Sequence, residues 1–154
     1  MVIWVGNDKD PGGYYIFNTL TNELKDLGMS RRAWINPNEM ADYLVSLGGR
    51  LTMEDHGTFN VRITYVPDAS ILNVPSFHSY LMVLDSFSEM TPEWSGKTLL
   101  EDINNELVPR WVRVTLIGRP GIEIVGSYRC LFQDSQPNWT NPALTAAVVE
   151  FEAA

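Results

Sequence analysis

Residues 59–68 read FNVRITYVPD. Phe59, Val61, Ile63 and Tyr65 alternate with Asn60, Arg62 and Thr64. That period of two marks a strand with one buried face and one solvated face. Pro67-Asp68 stops it, since proline has no N–H to give to a ladder. Residues 51–54 lie just upstream, across His56-Gly57, and are expected to form its hairpin partner.

Downstream, the pattern changes to helical spacing. Ser76 opens a helix with Phe77, Tyr80, Leu81 and Leu84 on one face. Thr98 is expected to cap a second, carrying Leu99, Leu100, Ile103 and Leu107, with Pro109 closing it. Val112, Val114 and Leu116 then alternate as a strand, Arg119-Pro120-Gly121 turns, and residues 122–132 read as a long strand. The loop QDSQPNWTNP follows, and residues 144–151 read as a last strand. From residue 50 onward the expected order is ββααββ plus one extra C-terminal strand. Antiparallel pairs separated by two helices give an α+β fold: one antiparallel sheet with helices packed on one face. Such a sheet has open edges, which homo-oligomers cover by joining sheets into a ring or barrel.

Upstream, Val2 to Val5 reads as a strand and Pro11-Gly12-Gly13 as a turn. Tyr14, Phe17, Leu20, Leu24 and Leu27 recur at helical spacing, with Gly28 as the stop. A further helix is expected from Asn36-Pro37-Asn38-Glu39, with Met40, Tyr43, Leu44 and Leu47 as its apolar stripe. Residues 1–154 thus read as one domain, with 1–48 as an N-terminal strand/helical arm and 49–154 as the sheet-and-helix core.

Composition narrows the function classes. Hydrophobic content of 45% and charged content of 19% suit an ordinary globular chain. A net charge of −8 argues against nonspecific nucleic-acid binding, which draws its affinity from phosphate contacts. Arg110, Arg113, Arg119 and Arg129 fall close in sequence and leave a local basic patch open. The single cysteine allows no intrachain disulfide and fits a reducing, cytoplasmic setting. No signal peptide, membrane span, zinc pattern, phosphate-cradling glycine loop or G-x-S-x-G is read. His56 with Asp55 and Glu54 reads as a solvated turn, so no metal site is expected.

Several short motifs carry a resemblance. Tyr65-Val66-Pro67-Asp68, Tyr80-Leu81, Ser86-Phe87, Leu100-Glu101-Asp102, Pro109-Arg110-Trp111 and Arg119-Pro120-Gly121-Ile122 occur in that order across about half the chain. In order and approximate spacing they resemble the nitrile reductases of queuosine biosynthesis, the 7-cyano-7-deazaguanine reductase family of the tunnelling fold. The resemblance implies a homo-oligomer with ligand pockets at subunit junctions. It also implies Glu101 as an anchor for the N–H edge of a purine, deazaguanine or pterin-like ring. Arg119 stands in the turn that the family links to its nicotinamide cofactor, so NADPH is implied only where the family's activity is retained.

The departures fall on the chemistry. The family's nucleophile is a cysteine on the first core strand, where this chain has Arg50-Leu51-Thr52-Met53-Glu54-Asp55. Its general acid is an aspartate just before the second strand, where Gly57-Thr58-Phe59 stands here with Asp55 nearby. Without a thiolate the covalent thioimide step cannot run. Two readings of Glu101 stay open: a ligand anchor, or the acidic end of a Thr98-Leu99-Leu100-Glu101 capping box. Cys130 shares strand parity with Ile122, Ile124, Tyr128 and Phe132, the pattern of a small buried hydrophobe. Trp94 and Trp139 lie in proline-containing loops, either at an interface or folded onto the core.

The first expectation is a diverged tunnelling-fold protein that binds a heterocycle at a subunit interface without thioimide chemistry. The alternative is a ring-forming structural protein such as a phage tail or neck component, partnered by other virion assembly proteins and located in the virion.

Overall fold

The computed structural model describes residues 2–5, 13–18, 23–26, 33–53, 56–85, 90–118 and 127–153. Its elements run β1 (Val2–Val5), β2 (Gly13–Asn18), β3 (Glu23–Asp26), β4 (Ala33–Ile35), β5 (Val45–Met53), β6 (Gly57–Val66) and β7 (Ser70–Leu72). Then follow α1 (Val74–Leu84), α2 (Pro92–Leu107), β8 (Trp111–Gly118), β9 (Tyr128–Ser135), α3 (Pro142–Ala146) and α4 (Val148–Ala153). The main sheet is antiparallel in the order β5-β6-β8-β9. β1, β2 and β3 form a separate antiparallel sheet, and β4 pairs with β7.

The alternation in β6 sorts the two faces of the main sheet. Phe59, Val61, Ile63 and Tyr65 are all buried on one face. The register lines Gly49, Val61, Leu116 and Cys130 in one row, and Leu47, Ile63, Val114 and Phe132 in the next. α1 and α2 pack on this face, closing a core that includes Leu81, Leu84, Leu99, Ile103 and Leu107. Two glycines set how closely they approach. A Cβ at Gly49 would stand 2.3 Å from Leu81 Cδ1 on α1. A Cβ on Gly96 of α2 would stand 2.2 Å from the Phe132 ring. The expected α+β class is what the chain forms, an antiparallel sheet with α1 and α2 packed against one face.

Four local expectations are corrected. Residues 14–18 and 23–26 stand on β2 and β3, not on a helix, since Tyr-Tyr-Ile-Phe prefers a pleated surface over a helical one; Leu20 and Leu27 of the expected stripe lie outside the described residues. Residues 36–47 hold a single turn and the start of β5. Asn36 does cap that turn, accepting from Asn38 N–H at 2.9 Å while donating to the Asp68 carbonyl at 2.6 Å, but the turn ends at residue 40 and does not propagate into a helix. Met40, placed in the expected apolar stripe, is fully exposed.

α2 begins at Pro92, with the Thr91 hydroxyl accepting from Trp94 N–H at 3.1 Å, so Thr98 lies inside the helix. A proline at the first helical position after a threonine is the stronger start signal. Finally, the extra C-terminal strand is helical. Asn141 caps it by accepting from Leu144 N–H at 3.1 Å, Pro142 follows, and alanine dominates the next turn.

α3 and α4 lie against the face of the sheet opposite α1 and α2. Val148 is buried with Val66 and Trp111, and Leu44, Leu144 and Trp139 pack around them. Trp139 also donates to Asp42 at 3.1 Å, so it folds down onto the body. Arg110 ties this end together, reaching the carboxylates of Asp42 and Asp68, each at 3.2 Å, and the carbonyls of Ala41 and Glu39.

Candidate functional site

α2 carries the residues that the sequence singled out. Leu99, Ile103 and Leu107 occupy its buried stripe. Glu101 lies off that stripe. Its side chain is 61% exposed and faces Lys97 across one helical turn at 3.8 Å. An exposed pair of that kind contributes little to stability. With α2 starting at Pro92, the capping-box explanation of Glu101 has no geometric basis. Its carboxylate is presented outward, with two acceptor oxygens side by side.

Asp102, one residue on, turns toward α1. The Tyr80 hydroxyl donates to its Oδ2. Leu72, Phe77, Ile103 and Glu106 complete a small recess around this pair, with about 20 Å³ of free space, room for a water and no more. Burial raises the Asp102 carboxyl to a pKa of about 6, with the Tyr80 hydrogen bond opposing and the Glu101 charge adding. Tyr80 and Asp102 both stand in motifs singled out from the sequence, but their pairing was not legible there, because the two motifs lie on different helices.

Arg119 and the neighbouring turn lie outside the described residues, as do Asp55, Ser86 and Phe87. Among the described residues Glu101 is therefore the one predicted site residue that the structure places. Cys130 sits on β9 in the helix-facing row and packs against the core. Burial pushes its thiol pKa up, which favours the inert thiol over the thiolate. His78 is exposed on α1, and His56 sits in the β5–β6 turn. Among the described residues no cluster of His, Cys, Asp or Glu has the makings of a metal site. No described helix is long and apolar enough to cross a membrane.

No protein-family model matches the chain, and no curated protein matches it. Among solved structures it is similar to the archaeosine synthase QueF-Like in the apo form, at 24% sequence identity and a TM-score of 0.47. The likeness covers 57% of this chain and 91% of that one. The architecture described above stands on strand order and register, independent of that likeness.

Proposed function

We propose that this chain is a diverged tunnelling-fold protein that binds a purine, deazaguanine or pterin-like base at a junction between subunits. Glu101 is the proposed base-edge anchor, and Arg119 the proposed contact for an anionic cofactor or partner. The observation that carries this reading is the outward carboxylate of Glu101, on a rigid helix and with no capping role. A base edge with adjacent N–H donors would satisfy both of its oxygens. In one isolated subunit Glu101 faces open space, so a neighbouring subunit would have to supply the rest of the pocket.

The same reading omits thioimide chemistry. Cys130 is the only cysteine in the chain, and it stands among the helix-facing core residues with a raised thiol pKa. Light scattering together with calorimetric titration of deazaguanine and pterin bases tests the proposal. A multimer that takes up a base supports it, and a monomer with no binding heat overturns it.

A second reading is a ring-forming structural component, for example of a phage tail or neck. What favours it is the outer strand β9, whose Leu131 is 57% exposed on a sheet edge open among the described residues. Strands of that kind join sheets between subunits. Stacked rings that bind no small base distinguish this reading from the first.

A further inference from the structure

The face of the sheet turned away from α1 and α2 is built differently at its two ends. At one end Val66 and Trp111 are sealed under α3 and α4. Toward the other end the register lines Arg50, Asn60, Ile117 and Arg129 across all four strands. The next row is Gly48, Arg62, Thr115 and Leu131, and the one after is Ser46, Thr64, Arg113 and Gln133. Four of the chain's eleven basic residues therefore share three adjacent rows of one face, in a protein of net charge −8. The sequence hinted at a basic patch around Arg110, but Arg110 is consumed by Asp42 and Asp68. Of the expected set, Arg113 and Arg129 stand on this face, joined there by Arg50 and Arg62.

Between this face and α4 runs a groove of about 650 Å³, within the usual size range of small-molecule sites. Arg50, Asn60, Arg62, Thr115 and Glu152 supply its polar lining, and Ile117 and Val149 an apolar wall. Arg50 and Arg62 are exposed diagonal neighbours on β5 and β6, roughly 7–8 Å apart at the backbone. Arg62 spends one N–H on the neutral backbone carbonyl of Glu152 and keeps its remaining donors. The Glu152 carboxylate is engaged by Thr64 and lies 3.9 Å from Arg113. It already shows that this face accepts an oxyanion.

We propose that this groove binds a small phosphate-bearing molecule, with Arg50 and Arg62 on the phosphate and Ile117 and Val149 against its apolar part. Two guanidinium groups on adjacent strands of one groove suit a multiply charged tetrahedral anion better than a single carboxylate. The site is independent of Glu101, which lies on α2 across the sheet. Glu152 is a built-in competitor at its rim, so neutralising that residue tightens binding.

Calorimetric titration of the full chain with pyrophosphate, UMP and uridine, which carry no purine or pterin base, tests this. The expected result is binding of pyrophosphate and UMP that weakens as salt rises, with no heat from uridine. Arg50→Ala weakens binding at least tenfold and Arg50→Lys restores part of it, both with melting temperatures like the parent's. Glu101→Gln leaves it unchanged, and Glu152→Gln strengthens it several-fold if the variant stays folded by circular dichroism. Absence of heat from both phosphates at millimolar concentration overturns the proposal. So does UMP affinity that ignores Arg50→Ala, or that disappears with Glu101→Gln.

Discussion

Thr64 Oγ1 donates to Glu152 Oε1 at 2.6 Å, although 88 residues separate the two in sequence. Thr64 is fully buried on the central strand β6, and Glu152 belongs to the last helix. The contact joins the C-terminal segment to the middle of the sheet. It also explains a buried hydroxyl on the polar face of β6, which would otherwise carry the desolvation cost of an unmet donor.

Removing the carboxylate should therefore destabilise the fold. Glu152→Ala is expected to cost roughly 1–3 kcal/mol in urea unfolding. Ser46, 3.3 Å from Thr64, replaces only part of what is lost. Combining it with Thr64→Val should cost clearly less than the sum of the two single changes, because each removes the other's partner. Additive costs would show that the contact contributes nothing.

Gly96 separates two opposed effects. In an exposed helix, Gly→Ala gains up to about 1 kcal/mol from propensity. Here the new methyl would meet the Phe132 ring at 2.2 Å and Leu116 at 3.1 Å. A ring wedged between α2 and β9 yields poorly, so overpacking wins. Gly96→Ala is expected to lower stability by about 1–3 kcal/mol, read as a lower urea midpoint with unchanged slope.

Arg110 holds two carboxylates and two carbonyls that belong to separate loops. Arg110→Ala leaves those acceptors facing each other and should cost on the order of 3 kcal/mol in thermal or urea unfolding. Arg110→Lys should recover less than half of that, since a single ammonium cannot span four acceptors.

Asp102 predicts a pH dependence. Its carboxyl pKa is raised in the folded chain, from 3.8 to about 6. Between those values the folded state holds the proton more tightly than the unfolded state. Stability from this group is thus fully present below about pH 4, falls as pH rises to about 6, and stays reduced above that. After allowance for its partial exposure, the drop should be roughly 1–2 kcal/mol. Asp102→Asn should flatten that slope in unfolding free energies measured from pH 4 to pH 7.

The core was legible wherever polarity alternated or apolar spacing was regular. β6, β8 and the apolar faces of α1 and α2 were all expected from single-residue patterns, and Cys130 was placed on its correct face. The misses share one cause: a local pattern with two solutions, settled by tertiary contacts. Tyr14, Phe17 and Leu24 fit a helix by spacing but stand on paired strands. Asn36 caps a turn as its chemistry suggests, but it is also tied to Asp68 and Tyr43, and the chain passes into β5 at Val45 instead of extending a helix.

The sites were legible only in part. Glu101 stands out by its neighbours in sequence, and its position on α2 clears the competing capping role. The arginine face was half legible: Arg113 and Arg129 fall close in sequence, but Arg50 and Arg62 lie far upstream on other strands. Only the register β5-β6-β8-β9 collects them.

Glu101 as a base anchor is best judged by calorimetric titration of deazaguanine and pterin bases into the parent chain and into Glu101→Gln, at matched oligomeric state. The expected result is measurable binding by the parent and at least a tenfold loss in Glu101→Gln, with the melting temperature unchanged. No binding heat from the parent, or equal affinity in the two proteins, would contradict it.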